Sequence, residues 1–313
     1  MNLLIFGSGS SASRFIGILK ELGHSVWVYK HRPNVLIPEG CSSLDSLENL
    51  SQFDGAIVSS PSATHLEYAK QCVKQSVPAL VDKPFSDSLS GVASVVKLAR
   101  RKNVFLMTGF NLRFLPIVKK IKEYCHSEKL GATLHAELYV GQYLPSWRPW
   151  LDYRKNYSAH YRLGGGVALD LIHEIDLALE FFPGISFSLL RSAKLSALDI
   201  DTEDFVLFET KSAPIIQVKL DYLNHIKTRQ YRIVGTNGSL SIDIFNKRFQ
   251  YSSVNGETDV VTEPSAFDIS ASFTEQTAYF LSALSKSNHD ITERSLGLDA
   301  LRVVLKGRKH VQG

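Results

Sequence analysis

Cysteine is scarce, and the chain holds no dense block of charge of one sign. Cys41, Cys72 and Cys125 are the only cysteines among 313 residues. Their odd number and wide spacing fit neither a disulfide framework nor the spacing of zinc ligands. No metal is expected, and reduced thiols in a cytoplasm are. The 35 Lys and Arg nearly balance the 31 Asp and Glu, and the formal net charge is +4. With no dense basic block, nucleic acid is not an expected partner. No apolar stretch is long enough to span a bilayer, so no membrane partner is expected either. Residues 1–6 lack a basic n-region and their apolar run stops at Gly7, which does not describe a signal peptide. Internal repeats and low-complexity tails are missing too. What is present is a chain 44% hydrophobic and 21% charged, enough for one large domain or two of ordinary size around a real core.

The first third alternates short apolar runs with helical periodicity. Strands are expected at 3–6, 25–29, 56–59, 79–81 and 104–107, and helices at 11–22, 64–75 and 89–101. Phe15, Ile16, Leu19 and Leu22 form the apolar stripe of the first helix, and Gly23 stops it. Alternation at this spacing predicts βαβ units and a doubly wound parallel sheet. From 131 onward the pattern becomes a meander. Strands are expected at 133–141, 187–197, 205–209, 215–222, 229–234, 239–244 and 248–251, with a hairpin at Asn237-Gly238. Helices are expected at 167–182, 272–285 and 293–306. One covered face on such a sheet leaves the other for subunit packing, so a homodimer or homotetramer is expected.

Five segments carry the chemistry. Gly7-Ser8-Gly9-Ser10-Ser11-Ala12 lies between the first strand and the first helix and fits the G-x-G-x-x-A dinucleotide fingerprint. Gly7 permits the turn, Gly9 lets the backbone approach a pyrophosphate, Ala12 allows close packing, and the helix N-terminus attracts the anion. Tyr29-Lys30-His31-Arg32 ends the second strand without the acid that NAD sites place there. Lys30 and Arg32 therefore point to NADP, with NAD the alternative and a solvated basic turn the plain reading. Lys83 stands between Asp82 and Pro84. Proline drives the preceding residue toward extended geometry, which puts Lys83 at a strand's C-terminal end, where open α/β sheets bind ligands. A lysine fixed there holds or moves a proton; otherwise it is a solvated strand end. Gly164-Gly165-Gly166 opens the helix at 167–182 and lets backbone approach a ligand. Asp170 and His173, three apart on that helix, form a pair able to move protons, with Asp170 orienting His173. A first-turn charge and a core histidine are the plain alternative. Trp147-Arg148-Pro149-Trp150-Leu151-Asp152-Tyr153-Arg154 reads as a loop whose tryptophans either stack on a sugar or anchor the loop.

Taken in order, these segments resemble the Gfo/Idh/MocA family of sugar-active oxidoreductases over nearly the whole chain. The resemblance is carried by Gly7-x-Gly9-x-x-Ala12-x-Arg14, Ser60-Pro61-x-x-x-His65, Asp82-Lys83-Pro84, Gly109-Phe110-Asn111-x-Arg113-Phe114 and Gly164-Gly165-Gly166-x-x-x-Asp170-x-x-His173-x-x-Asp176. The family's Glu-Lys-Pro is shortened here to Asp82-Lys83-Pro84, and its Asp-x-x-x-His loses one residue. The resemblance implies an α/β chain, with an N-terminal Rossmann domain at 1–120 and a C-terminal α+β domain at 121–313 built on a large, mostly antiparallel sheet. It implies hydride transfer between NADP (or NAD) and a hydroxyl or ketone carbon of a sugar, with Lys83, His173 and Asp170 catalytic. Gly7, Gly9, Ser10, Ser11, Ala12, Arg14, Lys30, Arg32, Ser60, Pro61, His65, Asp82, Lys83 and Asn111 are then expected on the cofactor. Lys83, Asn111, Arg113, Trp147, Trp150, Tyr153, Asp170 and His173 are expected on the substrate. A non-catalytic NADP-dependent sensor and a lyase with tightly held cofactor are the competing readings.

Overall fold

The computed structural model describes all residues except 33, 287–290, 293 and 312–313. It separates into two compact units, one of Met1–Phe110 with Phe273–Leu301, the other of Asn111–Ser272 with the chain from Arg302 on. In the first unit β1 (Asn2–Phe6), β2 (Ser25–Tyr29), β3 (Ser42–Leu44), β4 (Gly55–Val58), β5 (Ala79–Asp82) and β6 (Leu106–Gly109) form one parallel sheet in the order β3-β2-β1-β4-β5-β6. Strands β4 and β6 are buried throughout, as a sheet with helices on both faces requires. Helices α1 (Ser10–Glu21), α2 (His65–Lys74) and α3 (Val92–Lys102) supply the crossovers. Gly23, at φ +77°, turns the chain out of α1, its N–H donating to Lys20 O. Strand β3 was not expected, because two serines and one leucine carry no apolar signal. The strand order reverses between β1 and β4, so Gly7 and Ser59 follow the two strands at the switch point and Lys83 follows the strand next to them.

The second unit holds α4 (Pro116–Cys125), β7 (Thr133–Gly141), α5 (Val167–Asp170), α6 (His173–Phe181) and seven further strands. These are β8 (Phe187–Ala193), β9 (Phe205–Thr210), β10 (Ile215–Asp221), β11 (Thr228–Gly235), β12 (Gly238–Asp243), β13 (Arg248–Ser253) and β14 (Thr258–Val261). The sheet order is β14-β13-β12-β11-β7-β10-β9-β8. Only β7 and β10 pair in parallel. Period-2 burial is clear: Ala136, Leu138 and Val140 of β7 and Ile216, Val218 and Leu220 of β10 point into the core, while His135, Glu137, Gln230 and Arg232 are exposed. Helices α7 (Ile269–Leu284) and α8 (Leu298–Gly307) close the described chain. The expected helix start at 293 lies outside the described residues.

Two expectations need correction. The chain divides at 110/111 rather than 120/121, and 273–301 returns to the first unit. The cause is apolar packing of α7: Phe273 lies 5.9 Å edge-on from Phe15, and Phe280 stacks 6.2 Å from Phe105. The helix expected over 167–182 is broken into α5 and α6. Ile172 N–H reaches back only to Leu169 O and Glu174 N–H only to Leu171 O, both at 3.4 Å, so the ladder tightens to three-residue spacing at the break.

Glu174, on α6, is fully buried, with Arg229 Nε 2.7 Å from Oε1 and the Tyr231 hydroxyl donating at 3.2 Å. Burial pushes its carboxyl up, and Arg229 and Tyr231 pull it back. Removing only the cation leaves a buried, uncompensated carboxylate, so Arg229→Ala should cost about 3–5 kcal/mol by chemical denaturation. A loss below about 1 kcal/mol would contradict this placement.

Candidate functional site

The first unit carries a dinucleotide cradle at the C-terminal edge of its sheet. Gly7 sits at φ +133°, and a Cβ there would stand 2.1 Å from Ser59 O, so only glycine lets the first turn press against the end of β4. Gly9 is the N-cap of α1 and makes no side-chain cap bond. A Cβ at Gly9 would meet nothing within 4 Å, Ser10 is exposed, and no acid lies in the first turn. Open space over helical N–H groups, with no acid in the helix's own first turn, fits a pyrophosphate. Ala12 is fully buried.

Asp82 ties this turn to Lys83. Its Oδ2 accepts the Ser11 hydroxyl at 2.5 Å and the Ser59 hydroxyl at 3.2 Å, and its Oδ1 accepts the Lys83 N–H at 2.8 Å. The Ser11 proton is therefore committed to Asp82, which Ser11's expected cofactor role did not anticipate. Lys83 follows β5 directly and is half-buried. Its peptide bond to Pro84 is cis.

Several other expected cofactor residues have partners within the protein. The Arg14 guanidinium lies over the Phe273 ring at 4.3 Å, so it packs on α7. His65 is buried, with Nδ1 2.6 Å from Pro84 O and Nε2 2.8 Å from Ser60 O. The Ser60 and Thr64 hydroxyls share a 2.7 Å hydrogen bond. Thr64 occupies the N-cap of α2 but donates to Pro61 O rather than capping with its side chain. Lys30 Nζ stands 3.7 Å from Asp45, which lies just beyond β3, the strand beside β2. Arg32 is exposed.

In the second unit the polar centre is Asp170. Its Oδ1 accepts the Tyr157 hydroxyl at 2.8 Å and its Oδ2 the Tyr222 hydroxyl at 2.6 Å. Tyr222 is wholly buried, and burial together with Asp170 holds its phenol protonated well above the ordinary range. Trp147 stacks edge-on to Tyr222 at 5.3 Å and donates its indole N–H to Gln142 O, which makes it an anchor of the loop. Asp170 ends α5 and His173 starts α6, so the two share a tight turn rather than one helical face. His173 is 8% exposed.

Gly165 and Gly166 make room for the protein's own atoms. A Cβ on Gly165 would stand 2.2 Å from Tyr157 O, and one on Gly166, at φ +110°, would stand 2.5 Å from Glu203 Oε1. Glu203 is fully buried and accepts N–H groups from Ala168 at 3.0 Å and Lys309 at 2.8 Å. Arg113 makes a two-pronged pair with Asp176, at 2.8 and 2.5 Å, joining the segment before α4 to α6. Arg113 also lines a cavity of about 540 Å³ with Lys122, His126, Glu180 and Phe181, and neither Asp170 nor His173 lines it. The Asn111 amide donates to Ser272 at 2.7 Å. Tyr153 accepts the Asp199 N–H at 3.1 Å, while Trp150 stands 72% exposed.

Sequence reasoning missed Tyr157, Tyr222, Glu203 and Asp45. Tyr222, the last residue of the strand expected over 215–222, directly follows β10, and its position after an alternating apolar series was the one signal that it faces the core. Burial raises the Glu203 carboxyl to about 7, with the Lys309 and Ala168 N–H groups and Arg308 opposing the rise. A carboxyl raised on folding adds stability at low pH that is lost as pH climbs toward the folded value. Wild type should therefore lose about 2 kcal/mol relative to Glu203→Gln between about pH 5.5 and about pH 8. Parallel pH dependence in the two proteins would refute it.

No helix among the described residues is long and apolar enough to cross a membrane, and no His, Cys, Asp and Glu cluster among them suits a metal ion. Residues 1–110 match the oxidoreductase family with an NAD-binding Rossmann fold, and residues 118–241 match the GFO/IDH/MocA C-terminal domain. The chain is 32% identical over 126 residues to a myo-inositol 2-dehydrogenase of Thermotoga maritima, covering 40% of this chain but 35% of that relative. A levoglucosan dehydrogenase solved with NADH superposes with a TM-score of 0.81 at 16% identity, covering 98% of this chain and 95% of that one. An oxidoreductase of Agrobacterium radiobacter, solved with NAD+, L-tartaric acid and magnesium, gives 0.80 at 18% identity, covering 97% and 94%. At these identities the solved structures establish the fold, and the two family matches between them take in most of both halves. The chain belongs to the GFO/IDH/MocA family of oxidoreductases with an NAD-binding Rossmann fold.

Proposed function

We propose that the chain is a nicotinamide-dependent dehydrogenase acting on a CH–OH group of a sugar or sugar derivative. The observation that carries the reading is Asp82, which binds the first-turn Ser11 and the Lys83 N–H with one carboxylate. That arrangement supports a lysine held beside a dinucleotide rather than loose on the surface. Gly7, Gly9, Ser10 and the N-terminus of α1 would hold the pyrophosphate. A bound nicotinamide supplies the acceptor or donor of hydride. Lys83 steadies the developing alkoxide, and His173 takes or returns the hydroxyl proton. Asp170, fixed by two phenols, orients the chain segment that carries His173. Loop 147–157 selects the sugar.

Lys30 and Arg32 favour NADP, although Asp45 beside Lys30 counters part of that charge. The exposed face of the eight-stranded sheet is the surface through which a homodimer or homotetramer forms, in a cytoplasmic setting.

Lys83→Met should lower kcat by about a thousandfold while the nucleotide dissociation constant moves less than about threefold. Near-wild-type turnover would remove Lys83 from the chemistry. The substrate arm is a panel of inositols, anhydrosugars and nucleotide sugars read by absorbance at the nicotinamide. Stoichiometric change means dehydrogenase, turnover without net change means the lyase reading, and neither means the sensor. In the same assay kcat/KM should favour NADP over NAD, and Arg32→Ala should shrink that preference about tenfold. A wild-type preference for NAD would overturn the role of Lys30 and Arg32.

A further inference from the structure

Resting on the reading above that Lys83 touches the reacting oxygen, we propose that His65 is a positioning residue for Lys83, gripping the Lys83–Pro84 turn instead of the cofactor. His65 opens α2 and is 2% exposed. Its two ring nitrogens face two main-chain carbonyls, Pro84 O at 2.6 Å and Ser60 O at 2.8 Å. Carbonyls only accept, so the ring N–H must sit on a nitrogen that faces one of them; on Nδ1, the nearer, it donates to Pro84 O, and both ring nitrogens face main chain and not a dinucleotide.

The geometry around Lys83 gives these contacts their meaning. Proline has no N–H, so the Pro84 carbonyl is the next main-chain handle beyond Lys83. On the other side, the Lys83 N–H is held by Asp82 Oδ1 at 2.8 Å. The main chain is thus fixed by a side chain on each flank of Lys83, one from β5 and one from α2. The contact to Ser60 ties the same ring to the turn after β4, so the ends of β4 and β5 cannot shift independently. A lysine stem has four rotatable carbons, and the placement of its main chain sets where its ammonium can reach. Reactive groups need placement within about 0.5 Å, and an error of about 1 Å costs on the order of a hundredfold.

His65→Asn and His65→Gln separate the two contacts. The Asn amide nitrogen reaches the place of Nδ1 and the Gln amide nitrogen that of Nε2. The Asn variant should hold Pro84 and keep kcat within about threefold of wild type, whereas the Gln variant should hold only Ser60 and lose about thirtyfold. Reduced-nucleotide affinity, read by fluorescence titration, should stay within about twofold in both. The rate of reductive methylation at Lys83, mapped by peptide mass in nucleotide-free protein, should change in the Gln variant and not in the Asn variant. That arm needs no substrate. If it behaves as stated while no sugar is turned over, the proposed activity fails and the positioning role stands. Equal loss of kcat in both variants with unchanged Lys83 methylation would overturn the proposal. So would nucleotide affinity weakened about tenfold in both.

Discussion

Asp82 accepts hydrogen bonds from three stretches of chain: Ser11 in the first turn, Ser59 after β4, and the Lys83 main chain after β5. Those stretches meet because the strands are parallel, which brings their ends to one edge, and β1, β4 and β5 are neighbours there. The meeting is tight only because Gly7 has no side chain to strike Ser59 O. A longer acid at position 82 would have to fold back to make the same three contacts. The shortened Asp-Lys-Pro motif and the serine at position 11 therefore suit one another: a short carboxylate reaches a short hydroxyl. The anion sits against the helix terminus it stabilises, and its second oxygen fixes the lysine backbone.

The second unit repeats the principle with different parts. Asp170 is held between two phenols, and Glu203 bridges the Ala168 and Lys309 main chains. Both arrangements depend on Gly165 and Gly166, which let the Tyr157 backbone and the Glu203 carboxylate come within van der Waals range. The same anchoring accompanies the break between α5 and α6. Asp170 is drawn to Tyr157 and Tyr222, while Glu174, four residues on, is drawn to Arg229 and Tyr231. One straight helix gives way to a tight turn between these anchors.

The alternation in the first unit was legible because parallel strands are buried on both faces and their helices carry one apolar stripe; β2 was placed to the residue. The meander was legible through period-2 patterning, and β7 was also placed to the residue. Three things were not legible. The break at Leu171 has no proline or glycine to announce it, since tertiary anchoring of two acids imposes it. Return of 273–301 to the first unit depends on aromatic contacts more than 150 residues apart in sequence. The partners of Asp170 were hidden because a tyrosine in a loop and one at a strand end carry no spacing relative to a helical acid. The residue types at the candidate site were readable, but what each residue serves was not: Gly165 and Gly166 make room for the protein's own atoms, Arg14 serves Phe273, and Arg113 serves Asp176.

The central claim is that this edge of the sheet presents Lys83 to a carbon receiving hydride. It is tested most directly by reducing keto-sugars with nicotinamide nucleotide deuterated at C4 and weighing the product. The account predicts one deuteron on the new carbinol carbon with the wild-type protein and no labelled product with Lys83→Met. An unlabelled product from the wild type, or equal labelling with Lys83→Met, would contradict it.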